Sequence, residues 1–237
     1  MSSSIDRIKH TDATVSCMIY KSRKMTMTAD DRKPNPTRAE QKKATREKLI
    51  EATLDIIAEG GMAKVTLPKV AERAGFSRGI SNFHFVSKDN LLLETLKTVH
   101  SELDRVWRHY LIETDLPPAD QLKGFLNAVF KPPVADVKKI SVWLAYWGET
   151  AYRRQYLESF TAKDREYEEA IERLMVRLAG ANRPVGGIPI RAIAVALTAL
   201  IDGCWLQFLI APGRLGDDEA INACYAYLSR FFPEFRV

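Results

Sequence analysis

GFSRGISNFHF, residues 75–85, ends in three consecutive rings: Phe83, His84 and Phe85. Neighbouring side chains on a helix lie about 100° apart, so these rings cannot all enter one core. Something here needs rings and polar groups to point in several directions. The preceding stretch, VTLPKVAERAG, reads as a short helix. Thr66 suits an N-cap, and Pro68 falls in the first turn, where its missing N–H does no harm. Val70, Ala71 and Ala74 face inward, and Gly75 ends the helix. Two short helices joined at Gly75–Phe76–Ser77 make a helix-turn-helix. Ala71 is small where the backbones approach, Gly75 can take the left-handed conformation of a tight turn, and Phe76 fills the angle between the helices.

The second of these helices is too short and too polar on one side to be a core element. Ser77, Arg78, Ser81 and Asn82 offer donors and acceptors on a rod slim enough for a major groove. Phe83 and His84 can reach the sugar–phosphate backbone, while Phe85 turns inward. Arg78 suits a bidentate contact to guanine or a phosphate contact, and Asn82 suits adenine or phosphate. Lys42, Lys43, Arg46 and Lys88 would position the protein on phosphates and make binding salt-dependent.

Working outward, RAEQKKATREKLIEATLDIIAEGG predicts a helix with Leu49, Ala52, Thr53, Ile56 and Ile57 on one face and a stop at Gly60–Gly61. Ser87 can cap a fourth helix from about Lys88 to Leu111. Residues 1–36 are polar without sustained periodicity and read as a disordered arm. Positive charge gathers at this end. Residues 1–48 carry 12 Lys/Arg and 6 Asp/Glu, a net +6, so the rest of this +5 chain is net −1. A localised basic end suggests a polyanion, nucleic acid before membrane.

The pattern TLPKVAERAGFSRGISNFHFVSKDNLL, residues 66–92, within a matching stretch from Arg46 to Leu93, resembles the TetR family of bacterial repressors. The resemblance implies that Ser77 to His84, Gly79 included, form the recognition helix. Thr66 and Lys69 would begin the supporting helix, and Lys88 would sit at the phosphate-contacting start of the fourth. Ser81 stands where the family usually has an apolar residue. Either Ile80 takes over the packing or Ser81 contacts a base.

After Pro117–Pro118 the pattern predicts further helices near 119–130, 136–156, 159–179, 188–210 and 217–231. No stretch alternates like a half-buried strand, and the chain reads as all-α. The expected organisation is a basic arm (1–37), a helix-turn-helix head (38–87) and a helical ligand-binding and dimerisation domain (88–237). No apolar run approaches the ~18 residues of a membrane span. Three scattered cysteines, Cys17, Cys204 and Cys224, have no metal-type spacing and suit a reducing compartment, so a cytoplasmic protein is expected.

Two segments of the larger domain stand out. In SVWLAYWGETAY, residues 141–152, Trp143 and Trp147 are four apart on one helix face with Tyr146 beside them. LTALIDGCWLQFLI, residues 197–210, is apolar nearly all round yet carries Asp202, one turn before Trp205. A charge there is costly unless it meets a partner or a ligand. These rings and Asp202 could build an aromatic cage for a quaternary ammonium. They could equally be core, with Asp202 accepting from a backbone amide or pairing with Arg191 or Arg154. WLAYW and ALIDGCWL resemble the BetI-like, choline-responsive branch of the TetR family, which implies a cationic effector such as choline. The family also implies a homodimer through the helices near 188–210 and 217–231, on a palindromic double-stranded DNA operator. Ala192, Ala194, Ala196 and Ala199 would permit close helix approach.

No nucleophile–base pairing and no H-E-x-x-H occurs, so no enzyme activity and no cofactor is expected. His100 and Asp104, four apart, could touch a metal but show no third ligand in sequence. The alternatives are a TetR-like regulator with an unrelated effector and a DNA-binding protein without an effector, its C-terminal half only a dimerisation bundle.

Overall fold

The computed structural model describes residues 36–236, apart from the side chains of 150–153 and 156. Among the described residues it is all helix and connection, without a ladder of strands. Contacts divide the chain into residues 1–40 and 41–237. The first of these falls almost wholly outside the described residues, the arm with it. Its described end is a capping box: Thr37 Oγ1 accepts from Glu40 N at 3.2 Å, and the Glu40 carboxylate accepts from Thr37 N at 2.7 Å.

The head is built as its sequence dictates. Helix α1 (Arg38–Gly60) buries Leu49, Ala52, Thr53, Ile56 and Ile57, and the chain leaves it through Gly61 at φ +75°. Helix α2 (Leu67–Arg73) is capped by Thr66, whose hydroxyl accepts from Lys69 N. Gly75 at φ +76° makes the turn, Phe76 N donates to Ala71 O, and α3 (Arg78–His84) follows. Ser77 occupies the N-cap position of α3 without accepting a capping bond, whereas Ser87 does cap α4 (Lys88–Arg108) by accepting from Asn90 N.

The body comprises α5 (Pro118–Val129), α6 (Val137–Gly148), α7 (Thr150–Ala179), α8 (Ile190–Ile210) and α9 (Asp217–Leu228). The single helix expected near 136–156 is two: α6 ends where Glu149 turns extended, and α7 begins at Thr150. Gly148 weakens the helix at that point, and the break lets Trp143 and α7 face one space. Helix α4 gives way to a wider turn at His109–Glu113.

Helix α8 corrects a second expectation. Among the described residues it is the one helix long and apolar enough to cross a membrane by length and composition. Its Ile193, Ala194, Leu197, Ile201, Cys204, Trp205 and Phe208 are buried in the shared core. Ala194 therefore packs inward rather than on the outer stripe. That stripe is Ala192, Ala196, Ala199, Gly203, Leu206 and Ile210, exposed at helical spacing. On α9, Asn222 and Ala226, four apart, are exposed as well.

Candidate functional site

On the head, Thr66, Lys69, Ser77, Arg78, Gly79, Asn82 and Phe83 are exposed and Lys88 is half-exposed. Phe83 is 70% exposed. Its edge meets His84, and Lys42 Nζ lies 5.3 Å from its centroid. His84 is half-buried. Burial first, then the charges of Lys42 and Arg46, pull its pKa down, which favours a neutral ring. Its Nδ1 has no hydrogen-bond partner among the described residues. Phe85 is buried: it follows α3 as its C-cap, where the backbone turns extended.

Two sequence-based assignments change. Ser81 is fully buried, its hydroxyl donating to Arg78 O at 3.2 Å. It occupies the packing position itself, while Ile80 is only half-buried, so Ser81 does not face a base in this structure. Arg46 is engaged inside the molecule: its guanidinium binds Glu94 of α4 and sits 5.4 Å over the Phe85 ring. That pair ties α1 to α4 rather than offering a free cation to phosphate.

In the body, α4, α6, α7 and α8 surround a cavity of about 230 Å³. Trp143, Trp147, Asp202 and Trp205 all line it. The Trp143 and Trp147 centroids are 6.0 Å apart. Trp205 Nε1 donates to Val129 O at 3.1 Å, which fixes its ring. Tyr146 is the exception among the proposed cage residues. It is fully buried and turned into the core, about 100° round the helix from Trp147.

Sequence reasoning missed the third wall. Asp164, Tyr167 and Glu168 of α7 line the same cavity. Their spacing of three and four marks one helix face, and that signal was available in DREYEEA. Only the fold shows that this face meets Asp202. Among the described residues no lysine or arginine lines the cavity. The partners considered for Asp202 are taken: Arg191 pairs with Glu172 at 3.5 Å, and Arg154 with Glu158 at 2.7 Å. Burial first, then the negative charges of Asp164 and Glu168, push the Asp202 carboxyl up to about 6. Three carboxylates and four rings, with no lysine or arginine in the wall, make a pocket that a positive charge would stabilise. His100 lies 3.1 Å from Asp104 and 3.4 Å from Asp164, and no group of three side chains that could hold a metal ion occurs among the described residues.

Comparison with known proteins agrees with both halves. Residues 49–95 match the family model for bacterial regulatory proteins of the tetR family. Residues 118–233 match the model for the C-terminal domain of BetI-type transcriptional repressors. The HTH-type transcriptional regulator BetI of Stenotrophomonas maltophilia is 29% identical over 184 residues, covering 77% of this chain and 90% of the relative. Its counterpart from Burkholderia lata is 29% identical over 191 residues, covering 77% and 91%. The structure of SmeT, the repressor of the S. maltophilia multidrug efflux pump SmeDEF, superposes with a TM-score of 0.63. It is 20% identical, covers 81% of this chain and 93% of SmeT, and supports the fold alone. With a tetR-type head and a BetI-type C-terminal domain in succession, the chain belongs to the TetR family of DNA-binding transcriptional regulators, in its BetI-type branch.

Proposed function

We propose that this protein is a dimeric repressor that binds a palindromic operator through α3 and leaves it when a small cation, choline or a related quaternary ammonium, fills the body cavity. The head of residues 38–87 reads DNA, and the body of residues 88–237 holds the effector and the dimer contact. The observation that carries the reading is the cavity itself, with Trp143, Trp147 and Trp205 around an uncompensated Asp202. A quaternary ammonium cannot donate a strong hydrogen bond, so rings and diffuse negative charge are the partners it needs. On the head, Arg78 and Asn82 are the base-reading candidates, with Lys69, Ser77 and Lys88 on phosphates and Phe83 against sugar.

The exposed small-residue stripe on α8, with the Asn222 and Ala226 edge of α9, suits close packing against its own two-fold copy. A Cβ at Gly203 would meet nothing within 4 Å, so the stripe is open in the single chain. Such a dimer would set two α3 helices against successive major grooves, about 34–36 Å apart. Filling the cavity would favour a head spacing that no longer fits.

The test uses a fluorescent duplex selected by the native protein from random sequence. Anisotropy should show one dimer per palindrome, and choline should weaken binding roughly 5–150-fold. Operator affinity unchanged at choline concentrations that saturate a tryptophan signal would remove the effector role.

A further inference from the structure

One buried histidine sits on the helix that leads to the head and faces two residues that line the cavity. His100, on α4, is 3% exposed. Its Nδ1 is 3.1 Å from Asp104 Oδ1 on the same helix, and its Nε2 is 3.4 Å from Asp164 Oδ1 on α7. Its ring stacks on Phe160 of α7 at 4.4 Å and lies 5.3 Å from Trp143. Nε2 has hydrogen-bond geometry to Asp164, whereas Nδ1 faces Asp104 as a close charge contact without it, and a carboxylate at each nitrogen favours the doubly protonated ring. Burial opposes that charge, but the bonds and charges of Asp104 and Asp164 outweigh it and hold the His100 pKa above its usual value. Asp104 is held besides by Lys163 Nζ at 3.0 Å and Trp107 Nε1 at 3.1 Å.

Asp164 is therefore shared. It is the α7 end of a clamp on α4, and it lines the effector cavity. Along α4 toward the head, Glu94 lies six residues before His100, about 9 Å along the axis, and binds Arg46 of α1. A rigid helix thus joins the clamp to the head.

We propose that the His100–Asp164 contact is the coupling element: a cation in the cavity draws Asp164 away from His100, α4 loses this one of its ties to α7 while the Asp104–Lys163 and Arg108–Glu166 pairs remain, and the head leaves its operator-binding position. The inference rests on the reading that a cation is the effector. It assigns His100 as a positioning residue that touches neither ligand nor DNA. Closed clamp and bound operator belong to one state, and open clamp and bound cation to the other.

His100→Phe keeps the ring on Phe160 and removes both N–H groups, while Asp164→Asn removes the charge of the acceptor. The measurement compares each variant with native protein for operator affinity by anisotropy and choline affinity by tryptophan fluorescence, after matched circular dichroism. The ligand-free His100→Phe protein should bind operator roughly 5–150-fold more weakly. Choline should add little further loss. It should bind His100→Phe more tightly than native protein, because the competent state is already populated. General damage would weaken both ligands, so joint weakening overturns the proposal, as does native-like operator affinity with native choline response. If native protein shows no choline signal, the effector reading fails by itself. The clamp is then judged on ligand-free operator affinity, which should fall in both variants, and native-like affinity in folded variants overturns it.

Discussion

The recognition helix and the body cavity gather charge of opposite sign and opposite exposure. On α3 and its neighbours, Lys69, Arg78 and Asn82 stand in solvent, where an unmet charge costs little. In the cavity, Asp164, Glu168 and Asp202 gather with no lysine or arginine among the lining residues; Glu168 reaches solvent and Asp164 meets His100, so the cost of burial falls on Asp202. The head can wait for a polyanion at small cost. In the body, the raised Asp202 carboxyl is the group that a cation would relieve under the proposed function.

The largest expected effect follows from this asymmetry. Asp202→Asn should weaken choline binding tenfold or more in a fluorescence titration, because a desolvated charge contact is lost. The same change should stabilise the empty protein by roughly 1–3 kcal/mol at pH 7. The sign follows from proton counts. A carboxyl whose folded pKa is about 6, above the ordinary aspartate value of 3.8, binds more protons folded than unfolded between those values. Native stability contributed by this group therefore falls as pH rises from about 4 to 6, and the advantage of Asp202→Asn should vanish near pH 4. Thermal melts across that range check it. A uniform destabilisation would show that Asp202 is a structural residue.

Next comes the head. Arg78→Ala should weaken operator binding by about 1–3 kcal/mol, roughly 5–150-fold, and leave choline affinity unchanged. If discrimination at one base pair is lost as well, Arg78 reads a base. If all sequences weaken alike and the salt slope drops by about one, it holds phosphate. The smallest effect is Trp147→Ala. One half-buried ring contributes about 0.5–2 kcal/mol to holding a cation, so choline affinity should fall roughly 2–30-fold with operator affinity intact. An unchanged choline response would take that ring out of the cage.

The two regions also differ in how they could be read. The helix-turn-helix was legible because its determinants are local. A cap at Thr66, a left-handed glycine at Gly75 and a buried Ala71 lie within ten residues, and each constrains its neighbours directly. Even there, the face of α3 was undecided until packing placed Ser81 inside. Arg46 looked like a phosphate ligand because its partner, Glu94, lies 48 residues away. In the cavity, Trp143, Trp147, Asp202 and Trp205 could be singled out as unusual for their helices. Their union with Asp164, Tyr167 and Glu168 could not, since no local rule says which face of α7 meets which face of α8.

By itself, then, the sequence determined an all-helical chain, the three-helix head, the exposed polar side of the recognition helix and the presence of a costly carboxylate in an apolar helix. Periodicity, caps and breakers act over a turn or two, and they leave their mark in nearby residues. Tertiary structure alone decided that Tyr146 turns away while Asp164 and Glu168 turn in, that Ala194 is core while Ala199 is surface, and that His100 bridges α4 to α7. These outcomes depend on where whole helices settle against one another. That is fixed by burying the most apolar surface at once, a property of the assembled core that no single segment carries.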